Sequence, residues 1–181
     1  PWRFVVGCPE ALRQDQESVV KSFSFMFEPG VGLYSQKVRE SDLDPAYPWF
    51  VTDFVDAARD VTVAVVRDEL FAFALDRSQF IEQTIDWRQA PTEHAHRSWQ
   101  RIELPAAMGR NIRAFMAEVG AHYGRLDFLE SGGDYVFLEV NFTGEWAWLD
   151  PHGEQGLLNK ILHEIDPRTP CVSCPRPLWR E

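Results

Sequence analysis

Apolar residues in this chain come in short runs separated by turn-forming residues, a pattern that predicts more strands than helices. Ser18-Val-Val-Lys-Ser-Phe23 reads as a buried strand, and a segment holding Gly30 and Gly32 leads into a second from Leu33 to Arg39. Pro48-Trp-Phe-Val-Thr-Asp-Phe-Val55 is a third, with its proline acceptably at the strand start. Val61 to Val66 and Leu70 to Leu75 form a hairpin around Arg67-Asp68-Glu69. Ahead of these, Pro9 to about Gln14 reads as a short helix, because proline suits the first helical turn. Gln89 to Arg101 is polar and without period, which predicts a loop.

Beyond that loop the period changes. Met108, Ile112, Phe115, Met116 and Val119 follow Leu104-Pro105 at helical spacing, and Gly120 is a suitable stop. Arg125-Leu-Asp-Phe-Leu-Glu130 and Asp134-Tyr-Val-Phe-Leu-Glu-Val-Asn141 flank Ser131-Gly-Gly133, the clearest hairpin signal in the chain. Leu157, Leu158, Ile161, Leu162 and Ile165 predict a last amphipathic helix before a proline-rich tail. Strands with helices clustered between hairpins make an α+β pattern, not strict β-α alternation, and no internal repeat is visible.

Composition narrows the class. A chain of 181 residues makes one domain or two small lobes. It buries roughly 70% of its unfolded surface, enough to fold without disulfides or zinc. Hydrophobic residues at 45% and charged residues at 25% exclude a disordered or fibrous chain. The net charge of -10 argues against a nucleic-acid partner but not against a nucleotide, whose phosphates magnesium can neutralise. No apolar run reaches membrane-spanning length, so no membrane partner is expected. Three cysteines are too few for a secreted disulfide scaffold and fit a cytoplasmic location. Cys171-Val-Ser-Cys174 has redox or half-zinc spacing, but it sits among prolines with no second pair, and two free thiols are the simpler reading. The start at Pro1, without methionine or signal-peptide pattern, suggests a segment of something longer.

The hairpin carries the first candidate chemistry. A turn centred near Gly133 puts Asp127 opposite Glu139, with Asn141 on the same face as Glu139. Like charges directly opposite destabilise a sheet, so a cation is expected there. Two carboxylates and an amide carbonyl are hard oxygen ligands suited to magnesium or manganese bound with substrate phosphates. A solvated strand face, or a carboxylate paired with Arg125, is the alternative. The second candidate is Lys21, one of three lysines against fifteen arginines, inside the apolar run Val19-Val20-Lys21. Either it contacts a phosphate as a point charge, or its stem snorkels from an edge strand to water.

Together Asp127, Glu139 and Asn141, the last two in Phe137-Leu-Glu-Val-Asn141, resemble the metal-binding signature of the ATP-grasp superfamily. Asp86-Trp-Arg88, the helix after Leu104-Pro105, and Asn141-Phe-Thr-Gly-Glu-Trp-Ala-Trp148 resemble its graspetide (microviridin-type) peptide maturases, near the glutamate ligases that tail a ribosomal protein. The resemblance implies an α+β ATP-grasp fold, in which two lobes with antiparallel sheets grip ATP. It assigns residues 1–56 to a smaller, partial lobe behind an absent N-terminal domain, 57–166 to the metal-holding lobe and 167–181 to a tail.

By the same resemblance Asp127, Glu139 and Asn141 hold magnesium or manganese, and Lys21 contacts the ATP phosphates. Asp53, Phe54 and Val55 belong to the linker that reads adenine, Asp56 reaches ribose, and Leu138 belongs with the nucleotide-binding residues. Arg88 faces the transferred phosphate or the acyl phosphate. The implied activity is an ADP-forming ligase that joins a peptide carboxylate to an amine or hydroxyl. A free amino acid or small acid as substrate is the second reading, and a non-catalytic binding module is the third. Thr62 stands where many relatives carry arginine, which implies one cation fewer near the site. An oligomer is compatible with all of these.

Four other features have simple readings. His94-Ala-His96 is a solvated loop lacking a third metal ligand, and Trp146 and Trp148 are packing residues. Glu130 and Asp134 are solvated turn residues. His152 and Glu154 are ordinary residues before the last helix, where an acid suits the dipole.

Overall fold

The computed structural model describes residues 3–5, 17–21, 26–28, 31–32, 34–44, 46, 48–79, 85–89 and 99–168. The expected helix at Pro9 to Gln14, the Cys171/Cys174 pair, His94 and His96 lie outside them. The chain divides into two compact units, one of Pro1–Asp56 with Arg77–Arg97, the other of Ala57–Asp76 with Ser98–Glu181.

The first unit is built on four antiparallel strands, β1 (Arg3–Val5), β2 (Glu17–Lys21), β5 (Gln36–Arg39) and β6 (Trp49–Asp53), in the order β1-β6-β2-β5. Two short strands, β3 (Met26–Glu28) and β4 (Val31–Gly32), pair with each other. Val20, Leu43 and Val51 form the apolar cluster, backed by Val38 and Trp49. Alternation along β2 therefore sends Val20 into that cluster and Val19 and Lys21 to the opposite face. The second strand is shorter than expected, since Tyr34 and Ser35 precede it without joining the ladder.

The second unit is a five-stranded antiparallel sheet in the order β11-β10-β7-β8-β9. Its strands are β7 (Arg59–Val66), β8 (Glu69–Asp76), β9 (Gln100–Ile102), β10 (Tyr123–Ser131) and β11 (Asp134–Asn141). β7 and β8 are apolar on both faces because both faces are covered. On one side Val61, Val63, Val65, Leu126 and Phe128 pack with Ile112 and Met116 of α1 (Ala106–Glu118). On the other Ala64, Val66, Phe71 and Phe73 meet Leu149 and Leu157 and Ile161 of α2 (Leu157–Ile165).

Gly120, at φ 65°, ends α1 in a conformation that costs glycine nothing. Of the apolar residues at helical spacing, Ile112 and Met116 are buried, while Phe115 and Val119 remain 36% and 47% exposed. Phe115 leans on Phe137 of the edge strand instead, ring centroids 6.3 Å apart. The expected loop at Gln89 to Arg101 gives way at its end to β9, whose Gln100, Arg101 and Ile102 pair with Ala74, Phe73 and Ala72. The open edge of β8 recruits this polar stretch through backbone hydrogen bonds, for which side-chain pattern is no guide. No helix among the described residues is long and apolar enough to cross a membrane.

Candidate functional site

The hairpin of β10 and β11 closes through Gly132 and Gly133, both at positive φ, with Ser131 opposite Asp134. Counting outward from that two-residue turn would set Asp127 against Leu138. The ladder instead slips between Phe128 and Asp127, so that Phe128 pairs with Phe137 and Asp127 with Glu139. Leu138 is the extra residue of a β-bulge. Phe137 packs edge-on against Phe128 at 5.5 Å, on the α1 face, so alternation sends Leu138 to the opposite face. Glu139 joins it there by its pairing with Asp127. The expected pairing holds, but the bulge creates it, not the turn.

Asp127 also pairs with Thr62 of β7, whose hydroxyl donates to Asp127 Oδ1 at 2.7 Å. Thr62 is 1% exposed. Asn141 Nδ2 donates to Asp127 Oδ2 at 3.4 Å and to Glu139 Oε1 at 3.3 Å, drawing the three side chains into one cluster. Arg125 completes it, with Nη2 3.2 Å from Asp127 Oδ2 and Nη1 donating to the Glu145 carbonyl at 2.7 Å. Thr62 thus gives Asp127 a neutral donor at Oδ1, and Arg125 brings positive charge to both oxygens, its Nε also donating to Oδ1 at 3.3 Å.

The turn after β11 is pinned from two sides, by Arg125 and by Tyr123 Oη, which donates to the Gly144 carbonyl at 2.7 Å. A Cβ at Gly144 would stand 2.8 Å from Asn141 Cβ, so only glycine lets the turn pass this close. Trp148 packs against the α2 cluster and meets Trp99 edge-on at 5.1 Å, the packing role expected of it. Glu130 is no solvated turn residue, for its carboxylate takes the Nε of Arg59 at 2.7 Å.

Two carboxylates and an amide projecting from adjacent strands fit a hard, oxygen-loving divalent cation. Rotating the Asn141 amide would exchange Nδ2 for Oδ1 and turn a donor into a ligand. Among the described residues no group of three or more His, Cys, Asp or Glu comes together, so such an ion here would rest on this mixed set.

In the first unit Lys21 is half-buried and pairs with Phe50. Val19 pairs with both Lys37 and Thr52, which puts Lys37 on the same face as Lys21. Lys37 Nζ lies 4.1 Å from the centroid of Phe54 and 2.8 Å from Glu17. Asp53 pairs with Ser18, on the side of Val20, while Val55 and Asp56 follow the strand without regular structure. Arg88 sits in a turn of 3-10 helix, Trp87–Gln89, bound to Asp86 through Nε–Oδ1 at 2.8 Å and Nη2–Oδ2 at 2.5 Å. Burial of Asp86 acts to raise its pKa, but the hydrogen bonds and charge of Arg88, with the amides of Ser35 and Arg88, prevail and lower it. The sequence assigns no role to Lys37, and it names Asp86 only within Asp86-Trp-Arg88, where the role falls to Arg88. The rarity of lysine was the one available signal for Lys37, and a carboxylate two residues before Arg88 the one for Asp86.

No protein-family model and no curated protein matches the sequence. Solved structures do. A ligase described as the Chryseobacterium gregarium RiPP-associated ATP-grasp ligase, in complex with ADP and a leader and core peptide, aligns at a TM-score of 0.77 and 23% identity over 94% of this chain. The macrocyclase MdnC of Microcystis aeruginosa, bound with precursor peptide MdnA, aligns at 0.72 and 22% over 93%. The ATP-grasp ligase PsnB, complexed with precursor peptide PsnA2 and AMPPNP, aligns at 0.59 and 18% over 83%. The chain spans 55% of the length of each of the first two and 46% of the third. With antiparallel sheets in both units and similarity of this extent, the chain has the ATP-grasp fold.

Proposed function

We propose that this chain is the nucleotide- and metal-binding portion of an ATP-dependent, ADP-forming ligase that modifies a peptide. The observation that carries the reading is the gathering of Asp127, Glu139 and Asn141 on one face of the larger sheet. The similar ligases supply its context, since two of them are described with ADP or AMPPNP and all three with a precursor or a leader and core peptide.

In the reaction a substrate carboxylate oxygen attacks the terminal phosphorus of ATP, and the bond to ADP breaks. An amine or hydroxyl then attacks the carbonyl carbon of the acyl phosphate, releasing inorganic phosphate and a proton. Lys21 and Lys37 are assigned to the nucleotide phosphates, as compact cations on one face of the smaller sheet. Asp53, Phe54 and Val55 are assigned to the adenine, Asp56 to the ribose and Leu138 to packing against the nucleotide. Asp127, Glu139 and Asn141 would hold magnesium, which when bound neutralises charge on the phosphate oxygens. Arg125 adds a fixed positive charge at that face, and Arg88 meets the transferred phosphate.

The test is calorimetric titration of AMPPNP with magnesium into the protein and into Glu139→Gln with Asn141→Leu. Saturable binding in the parent and its loss in the folded double variant support the reading. Unchanged binding in the variant removes the metal assignment. No binding to a folded parent favours the non-catalytic module, a reading to which the existing compensation of Asp127 by Thr62 and Arg125 gives some ground.

A further inference from the structure

The sequence pattern Asp-x-Arg occurs at Asp86-Trp-Arg88 and again at Asp166-Pro-Arg168, and both fold into the same local clamp. At each, the arginine amide donates to the aspartate Oδ1, at 3.1 Å and 3.0 Å respectively. At each, Nε bonds Oδ1 and Nη2 bonds Oδ2, at 2.8 and 2.5 Å in the first and 2.9 and 3.0 Å in the second. Three residues can therefore form this arrangement with no tertiary support.

What differs is the setting. The Asp86 side chain is 3% exposed against 40% for Asp166. Asp86 Oδ2 also accepts the amide of Ser35 at 3.1 Å, across 51 residues of sequence. Arg77 Nη2 fixes the same turn by donating to the Ile85 carbonyl at 2.7 Å, and the Arg88 guanidinium carbon lies 6.0 Å from the Tyr34 ring centroid. Arg168 is 90% exposed and its clamp involves only its own turn, whereas Arg88 is anchored through Asp86 to a second segment of its unit. A buried carboxylate taking four donors is costly to place for local turn formation alone, which the surface copy achieves without burial.

We infer that Asp86 is a positioning residue that holds the Arg88 guanidinium in place for a terminal phosphate, by engaging its Nε–Nη2 edge. This rests on the assignment of Arg88 to the transferred phosphate. A guanidinium fixed before binding loses less freedom when it meets the anion, so the effect belongs to nucleotides carrying that phosphate.

The test compares AMPPNP and ADP, each with magnesium, by calorimetry on the parent and on Arg88→Ala, Asp86→Asn and Asp166→Asn, with thermal melts as folding controls. Arg88→Ala and Asp86→Asn should each reduce the preference for AMPPNP over ADP about tenfold or more while leaving ADP affinity unchanged. Asp166→Asn should change neither. A preference lost in Arg88→Ala but retained in folded Asp86→Asn overturns the positioning role and leaves the assignment of Arg88 standing. An equal fall for both nucleotides in Asp86→Asn marks a structural role only and also overturns it. A preference intact in Arg88→Ala, or a parent that binds neither nucleotide, removes the underlying assignment and this inference with it.

Discussion

Glu139 faces Asp127 across the β10–β11 ladder because Leu138 is set aside as an extra residue between two registers. Leu138 and Glu139, adjacent in sequence, consequently share one face of the sheet, which an unbroken strand forbids. Deleting Leu138 would straighten the strand and still leave Glu139 opposite Asp127. The deletion should therefore retain binding of Mn2+, followed by its electron paramagnetic resonance signal, and weaken AMPPNP several-fold for want of the apolar contact. Loss of Mn2+ binding in a folded deletion variant would show that the bulge shapes the metal face itself.

Gly144 is confined by Asn141 instead of by its own dihedral angles. Gly144→Ala puts a methyl 2.8 Å from Asn141 Cβ and 3.3 Å from its carbonyl oxygen, so the turn or the amide has to move. Mn2+ affinity should fall about tenfold, and the melting temperature should drop by a few degrees, as for other forced contacts. Gly120→Ala, with open space around the Cβ, is the comparison: strain at φ 65° costs stability there but leaves Mn2+ affinity unchanged.

Asp86 gives the protein an acid-labile contribution from a buried carboxylate. Its pKa is held below the ordinary aspartate value by contacts that exceed the opposing effect of burial. A depressed carboxylate stabilises the fold fully above its unfolded value, near 3.9, and the contribution disappears as pH falls through the lower folded value. The difference in melting temperature between parent and Asp86→Asn should be constant from pH 7 down to about 5 and shrink below about 4. A difference that does not vary with pH would mean that the negative charge is not what Asp86 contributes.

The last helix packs on the sheet through Leu157 and Ile161 and pairs Lys160 with Glu69 and Glu164 with Arg67. Leu157 is fully buried while Ile165, one end of the same apolar stripe, is 76% exposed. Leu157→Ala should cost about 2–5 kcal/mol in urea unfolding and Ile165→Ala less than about 0.5 kcal/mol. Equal costs would indicate that Ile165 is covered by something outside the described residues.

The hairpins at Val61 to Leu75 and Arg125 to Asn141 and both described helices were legible because their signals are local: glycine at the turn, strand alternation, and apolar spacing of 3 and 4. The pairing of Asp127 with Glu139 was legible in outcome only. Two glycines at positive φ set a register that would have missed it, and the bulge corrected the count by one residue. β9 was illegible because an edge ladder is made from backbone groups that every sequence carries.

Residue order alone therefore determined four of the five strands and both α-helices described in the second unit, the glycine turn, and the supply of two carboxylates and an amide to adjacent strands. Tertiary structure decided which charges meet. Thr62 reaches Asp127 across 65 residues, Ser35 reaches Asp86 across 51, and Lys37 shares a face with Lys21 only through the pairing of Val19 with its neighbours. Such relationships depend on strand order and register, which long-range packing fixes by burying one apolar face in preference to the other. No local pattern encodes them.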